Sequence, residues 1–221
     1  DPIQQRVYHR MKRTLVALSL LASAFSAGAE QIEVEYKRFY SHINKIGDES
    51  TSALQFAFGF LRVGTSDLCP INQATIVTQK QDIPLTVTAE NRFLVPKERA
   101  LKLADASVVI DLGEAANLCD MSVQIETTAD YVKTEYTAED LAFIKQQYEA
   151  FFNEMGGFLS FMMPSVKGLT FRFSDEELDA QVPGAPNITN GMLMLDNEWL
   201  EQGKPLKLPV EPLRITALAK S

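Results

Sequence analysis

The chain has 221 residues, of which 46% are hydrophobic and 23% are charged, and its formal net charge at pH 7 is −8. This length suits one domain of generous size or two small ones. The acidic balance argues against nucleic acid and anionic lipid headgroups as partners, because like charges repel. It is otherwise compatible with solubility alone.

The N-terminal 29 residues have the three parts of a secretory signal peptide. Residues 11–13 (MKR) form a basic start, and the eleven residues 15–25 are apolar and uncharged. Small residues follow and end at Ala29, which suits the pocket of a signal peptidase. We therefore expect cleavage between Ala29 and Glu30, with residues 1–10 as an over-extended start or a tag.

Two alternatives to this cleavage stay open. An uncleaved membrane anchor would need about 20 apolar residues to span a bilayer, and a run of eleven is too short. Cleavage after Ala24 is less favoured because the apolar run continues through Phe25. No cysteine follows the small residues, which argues against a lipid-anchored start.

We therefore expect a periplasmic or secreted protein that does not span the membrane after cleavage, with residues 30–221 forming a single domain. Cleavage would remove four basic residues and one acidic residue, which deepens the net charge from −8 to −11. The mature part would keep a single histidine, His42.

The residues that most often carry catalysis are scarce in this mature part. The sequence has no H-E-x-x-H, C-x-x-C or G-x-S-x-G motif. A zinc site needs three or four His, Cys or carboxylate ligands, and the acidic residues 175–177 with Asp179 lack the spacing of a calcium loop. We therefore predict no catalytic residue, no cofactor and no metal site, and we interpret His42 as a surface or half-buried histidine.

The two cysteines of the chain are Cys69 and Cys119. In an oxidising compartment, two cysteines without a third predict one disulfide between them. The alternative is a pair of buried free thiols. Both cysteines lie at the ends of predicted strands, which favours a structural crosslink over a reactive thiol pair.

The region between the first predicted helix and residue 127 has the pattern of short strands. Large side chains alternate over residues 54–60, which predicts a strand whose aromatic face (Phe56, Phe58 and Phe60) forms core or, as the alternative, lines a ligand cavity. Pro84 places its run at a sheet edge or a bulge. The other runs are regularly spaced and favour an antiparallel, sandwich-like sheet; they cover residues 75–78, 83–88, 92–95, 107–112 and 121–126.

The clearest helical pattern covers residues 138–155, with Thr137 as its N-cap and Asp140 near the capping-box position. Shorter helices are predicted within residues 30–46 and within residues 97–105. The last third returns to strands, at residues 169–173, 192–195 and 206–215.

Residues 158–164 (FLSFMMP) are unusually apolar for a connection between two elements. They pack as core, or they present an adaptable, methionine-rich surface to a partner. For the second case, the contact residues would be Phe158, Phe161, Met162 and Met163.

Several short motifs in this order resemble a family of secreted proteins of Gram-negative gammaproteobacteria known only as a domain of unknown function. They are Tyr36-Lys37-Arg38-Phe39-Tyr40, Phe58-Gly59-Phe60, Cys69, Cys119, Gly168-Leu169-Thr170-Phe171, Leu206-Lys207-Leu208-Pro209 and Leu213-Arg214-Ile215. The resemblance implies a periplasmic or envelope location and no activity.

We therefore predict an α+β fold in which antiparallel sheet carries most of the core, one long amphipathic helix packs on it, and one disulfide crosslinks it. For function we favour a non-enzymatic binding or envelope-accessory module for a partner protein or an apolar ligand. One alternative is a periplasmic hydrolase that uses carboxylates alone, although no pair can be selected from the sequence. The other is a structural or assembly subunit of the cell envelope.

Overall fold

A computed structural model describes residues 30–156 and 165–219 of the chain. The predicted signal peptide, with Ala29, lies outside the described residues. So do Phe158, Phe161, Met162 and Met163, so their role as partner contacts stays a prediction. Glu30 is the first described residue, and its side chain is exposed.

The described residues form helices and strands, and every strand pair among them is antiparallel. The predicted α+β fold is thereby confirmed. In chain order the elements are β1 (Gln31–Glu35), α1 (Tyr36–Ile43), β2 (Leu54–Arg62), β3 (Ile71–Val77), β4 (Asp82–Leu85), α2 (Arg99–Leu103), β5 (Ser107–Leu112), β6 (Cys119–Thr127), β7 (Glu135–Tyr136), α3 (Ala138–Gly156), β8 (Val166–Arg172), β9 (Met192–Asp196), α4 (Asn197–Leu200), β10 (Leu206–Lys207) and β11 (Arg214–Ala219).

The first sheet has the strand order β1-β5-β3-β4. Side-chain burial alternates along the inner strand β5, where Val108, Ile110 and Leu112 are fully buried on one face. This two-residue period is the signature of a strand with one face against the core. Pro84 lies in the edge strand β4, as predicted. Proline has no backbone N–H, and an edge strand tolerates this because one of its sides has no neighbouring strand.

The long strands β2 and β6 pair as a two-stranded ribbon. Phe56, Phe58 and Phe60 project to one face of β2, and each is less than 8% exposed. Phe39 of α1 meets Phe58 edge-on, with ring centroids 4.9 Å apart. The aromatic face is therefore core over most of its length, as predicted.

The short helix predicted within residues 30–46 is present as α1, and a strand that the sequence did not predict precedes it. Residues 31–35 form β1, and the helix begins only at Tyr36. The reason is that Ile32 and Val34 alternate inward, whereas the helical spacing of buried residues begins with Tyr36 and continues at Phe39.

The long helix α3 is where the sequence predicts it, and it begins with a reciprocal cap. The Asp140 backbone N–H donates to Thr137 Oγ1 at 3.1 Å, and the Thr137 N–H donates to the Asp140 carboxylate at 2.9 Å. The buried Tyr148 hydroxyl donates to the Ile215 carbonyl oxygen at 2.6 Å, which ties α3 to β11. None of the helices in the described ranges is long and apolar enough to cross a membrane.

The C-terminal sheet has β8 between β11 and β9. A continuous strand over residues 206–215 was predicted here, and that prediction is wrong. The structure instead has β10 and β11, separated by a stretch that contains Pro209 and Pro212. Prolines lack the N–H that a strand ladder needs, so the strand is interrupted.

The predicted disulfide joins Cys69 to Cys119, with their Cα atoms 6.2 Å apart. Cys119 is opposite Arg62 in the ribbon, while the Cys69 N–H donates to the Phe60 carbonyl oxygen on the other edge of β2. The crosslink therefore connects the two chain segments that flank the end of β2.

Candidate ligand-binding site

A gap opens beside the first half of β2, where the segment after residue 93 leaves the strand. Phe58 and Phe93 exchange two backbone hydrogen bonds, each 2.9 Å long. Beyond this bridge the segment does not continue the ladder, so the strand predicted over residues 92–95 is wrong except at Phe93. Residues 94–97 do not pair with β2, and together with it they line an open space.

The segment leaves β2 because α1 holds it. The buried Tyr36 hydroxyl donates to the Pro96 carbonyl oxygen at 2.6 Å and accepts from the Glu98 N–H at 2.9 Å. The Lys97 ammonium donates to the Ile46 carbonyl oxygen at 3.1 Å. The two bonds of Tyr36 satisfy backbone groups that would otherwise need another partner, and the Lys97 bond attaches the same segment to the turn after α1.

The resulting gap, which we call the apolar wedge, has a volume of about 400 Å³. It falls in the range of roughly 300–1,000 Å³ that is usual for ligand pockets. Apolar side chains from α1, the turn after it, β2 and the departing segment (residues 94–97) line it: Ile43, Ile46, Leu54, Phe56, Leu94 and Val95. Leu94 is 44% exposed, whereas Phe56 is 7% exposed.

The backbone of β2 also faces the apolar wedge. Backbone groups of residues two apart point to the same edge of a strand. Since Phe58 bonds Phe93 on this edge, the N–H and C=O of Phe56 point into the wedge. The wedge therefore offers apolar surface with a few polar groups on its wall, as ligand pockets generally do.

A second, charged cavity of about 210 Å³ adjoins the wedge. Gln55 and Leu94 line both spaces. Its charged lining residues come from distant parts of the chain: Glu90, Arg92, Glu126 and Arg214.

A tight hairpin delivers Glu90 and Arg92 to the charged cavity. The Thr88 N–H donates to the Arg92 carbonyl oxygen at 2.8 Å. The hairpin rests on Gly59 of β2, where an added Cβ would lie 3.0 Å from the Asn91 carbonyl oxygen. Glycine at this position allows the close approach.

Arg214 is the anchored cation of the charged cavity. Its guanidinium forms an ion pair with Glu90 and lies 3.9 Å from the Glu126 carboxylate. Its side chain is 13% exposed. Two carboxylates therefore compensate the positive charge of Arg214, which would otherwise be buried without a partner.

Glu126 is the buried acid of this cavity. Burial raises the pKa of its carboxyl group, and this outweighs the hydrogen bonds and cations that favour the charged form. The Gln55 and Gln124 amides each donate to its oxygens at 3.2 Å.

Arg92 has fewer partners than Arg214. Its guanidinium donates to the Ala57 carbonyl oxygen at 3.3 Å. Within residues 30–156 and 165–219, no carboxylate lies within 4.0 Å of it. Burial and the neighbouring Arg214 charge lower the pKa of Arg92, while Glu126 and Glu90 act in the opposite direction. Arg92 is thus a half-buried cation without a contacting anion among the described side chains.

Replacement of Glu126 by glutamine is expected to change how stability depends on pH. A raised pKa means that the folded state holds the proton more tightly, so the unfolding free energy falls as pH rises from the ordinary glutamate pKa to the raised one. Glu126→Gln should remove this fall, so the unfolding free energy of the variant rises relative to that of the wild type as pH increases across this range. Urea unfolding at a series of pH values tests this, with Glu33→Gln at an exposed position of β1 as control. If the wild type instead became more stable relative to the variant as pH rises, the raised pKa of Glu126 would be contradicted.

The residues weighed in the sequence do not converge on this site. His42 is half-buried, as predicted, with Nδ1 3.0 Å from the Arg38 carbonyl oxygen and its ring edge-on to Phe56. Asp175 and Asp179 are exposed and accept backbone N–H bonds within their own loop.

One cluster has the spacing of a metal site but not its chemistry. The donor atoms of Cys69, Glu114 and Cys119 lie within 4.8 Å of one another. Both sulfurs are joined in the disulfide, so neither is available as a thiolate ligand. Glu114 forms an ion pair with Arg62.

The residues of the two cavities were not identified from the sequence. Glu90 and Arg214 meet across 124 positions of the chain. Charged residues in such positions carry no local pattern, so no motif could indicate them. Phe56 is the exception, since the sequence indicates that the aromatic face of residues 54–60 forms core or lines a ligand cavity.

A family model described as "Protein of unknown function (DUF2987)" matches residues 28–173. None of the curated proteins and none of the solved structures matches the chain. The matched range contains the apolar wedge and Glu90, Arg92 and Glu126, and it ends before Arg214. The resemblance to a domain of unknown function is thereby confirmed, while the bacterial source and the secretion stay predictions.

Proposed function

The chain belongs to the DUF2987 family of proteins of unknown function, and we propose that it is a binding module whose apolar wedge holds an apolar ligand. The observation that carries this proposal is the departure of residues 94–97 from β2, which leaves apolar side chains around an unfilled space of about 400 Å³. Filling that space would remove the exposed part of Leu94 from water, which contributes roughly 25 cal/mol per Å² of buried apolar surface.

The apolar wedge is formed by bonds that do not require a ligand. Tyr36 is fully buried, and its hydroxyl fixes both Pro96 and Glu98. A pre-formed pocket binds without the entropic cost of ordering a loop. The geometry therefore supports binding more directly than it supports a reaction.

Export to the periplasm is part of the proposal. The basic start, apolar run and small residues of the N-terminal 29 residues support it. The Cys69–Cys119 disulfide supports it as well, because such bonds persist in oxidising compartments. Expression of the full chain in a Gram-negative host, followed by mass spectrometry of the periplasmic fraction, should give a product that begins at Glu30. A full-length product in the cytoplasm would oppose export.

Binding in the wedge can be tested with the neutral fluorescent probe Nile red and two matched variants. Leu94→Asn places a polar group on the wall of the wedge, whereas Leu103→Asn changes a residue of α2 that is 71% exposed and lies outside the wedge. We expect the wild type and Leu103→Asn to bind the probe with equal affinity and Leu94→Asn to bind at least about tenfold more weakly.

Two results would contradict this proposal. One is a wild type that does not bind the probe, and the other is equal binding by all three proteins. Thermal unfolding of each variant confirms that its fold is retained, which is expected because both leucines are exposed.

The carboxylate-based hydrolase is the second candidate, since Glu90 and Glu126 lie in one cavity and burial raises the pKa of Glu126. Both carboxylates, however, face the Arg214 guanidinium. Both Glu126 oxygens also accept hydrogen bonds from the Gln55 and Gln124 amides, whereas a general acid must direct its proton at the substrate. The arrangement therefore supports this candidate less well than ligand binding.

A further inference from the structure

We infer that the ligand of the apolar wedge carries an oxyanion head group, a carboxylate or a phosphate, which Arg92 binds in the adjoining charged cavity. The ligand class is then a single apolar chain with an acidic end. This inference rests on the proposed function, and it adds the charge and the orientation of the ligand.

The first step is that the two cavities adjoin each other. Gln55 of β2 and Leu94 of the departing segment line both of them. Arg92 precedes Leu94 by two residues; it lines the charged cavity but not the apolar wedge. A chain lying in the apolar wedge therefore has its end within reach of Arg92 once it passes Leu94.

The second step is the difference between the two arginines. Arg214 already contacts Glu90 and Glu126. The Arg92 guanidinium makes one hydrogen bond within the described parts of the chain, to the Ala57 carbonyl oxygen, although a guanidinium has five N–H donors. The remaining N–H donors lie along the edge of the planar guanidinium, which suits a two-point contact with a carboxylate or a phosphate.

The third step is the sign of the charge. Arg214 stands close enough to Arg92 to lower the pKa of Arg92, so a cationic head group would meet two guanidinium groups. A neutral head group would leave the half-buried Arg92 guanidinium without a contacting anion, since Glu126 and Glu90 act on it only from beyond 4.0 Å. The nearby carboxylate of Glu126 is held by Gln55 and Gln124 and faces Arg214.

The test compares ligands that have the same chain and different ends. Calorimetric titrations would use dodecanoate, dodecyl phosphate, dodecanol and dodecyltrimethylammonium, each below its micellar concentration. The proteins are the wild type, Arg92→Gln, Arg92→Lys and Arg99→Gln; the last changes an exposed arginine of α2 outside both cavities. Unchanged dodecanol binding by Arg92→Gln shows that the variant is folded and that its wedge is intact.

We expect the wild type and Arg99→Gln to bind at least one of the two acids about tenfold or more tightly than dodecanol, and the tighter acid identifies the head group. Arg92→Gln should lose that preference, and Arg92→Lys should keep part of it. Equal binding of acids and alcohol by the wild type, a preference retained in Arg92→Gln, or preference for the ammonium compound would overturn the inference while leaving the proposed function in place. A wild type that binds none of the four and does not bind Nile red would overturn both.

Discussion

Gly168→Ala is expected to destabilise the protein by about 4 kcal/mol or more. Gly168 has φ near +154°, a conformation that is essentially restricted to glycine. A Cβ at this position would lie 2.0 Å from the Leu195 carbonyl oxygen and 2.8 Å from the Asp196 Cα. Both neighbours are backbone atoms of β9, which is hydrogen-bonded to β8 in this register. The clash can be relieved only by separating the two strands.

A matched control isolates the clash from the conformational penalty. Gly184 also has positive φ, at 70°, but nothing lies within 4 Å of a Cβ placed there. Gly184→Ala should therefore cost only about 1–2 kcal/mol, the usual penalty for a left-handed residue with a side chain. Urea unfolding of both variants measures the difference. Equal losses for the two would show that the close approach of β8 to β9 is absent in solution.

Removal of the disulfide is expected to lower the unfolding free energy by about 4 kcal/mol in the chain-entropy model. The bond closes a loop with a sequence separation of 50 residues, so its loss frees a large part of the unfolded chain. Alanine is the better replacement for both cysteines, because Cys69 is fully buried and Cys119 is 9% exposed, and serine would bury a hydroxyl group at each position.

The double variant Cys69→Ala/Cys119→Ala also provides the control for reduction. A dithiol reductant should lower the unfolding free energy of the wild type, measured with urea, and leave that of the double variant unchanged. The reduced wild type should then resemble the variant. If full reduction of the wild type, verified by thiol titration, left its stability unchanged, the crosslink would not be the source of that stability.

Local patterns in the sequence account for the parts of the fold that could be predicted. Alternation over residues 54–60 predicted β2, and the helical spacing after Thr137 predicted α3 with its cap. The disulfide followed from the presence of two cysteines and an expected oxidising compartment. Each of these inferences depends on neighbouring residues or on a count.

The apolar wedge could not be predicted in this way. It exists because the Tyr36 hydroxyl reaches the Pro96 carbonyl oxygen, 60 positions along the chain. The sequence around residues 92–95 favours a strand, and the structure retains only the bridge at Phe93 because this tether draws the following residues towards α1. Local propensity was overridden by a tertiary contact.

The charged cavity was hidden for a related reason. Glu126 lies near the end of β6, on a face that would ordinarily meet solvent, and Arg214 at the start of β11 covers it. Neither the burial of Glu126 nor the isolation of Arg92 has a local sequence signal, because both depend on where distant elements meet. Buried ionisable groups around a cavity are, however, a recognised mark of functional sites once a structure is available.

The central claim is that an apolar chain lies in the wedge with its acidic end at Arg92. The most direct test is a crystal structure of the protein with ω-bromododecanoate, in which anomalous scattering locates the bromine. We expect the bromine beside Phe56 and Ile46 in the apolar wedge, with the carboxylate within hydrogen-bonding distance of the Arg92 guanidinium. A bromine outside the wedge, or a reversed chain with the bromine at Arg92, would contradict the account.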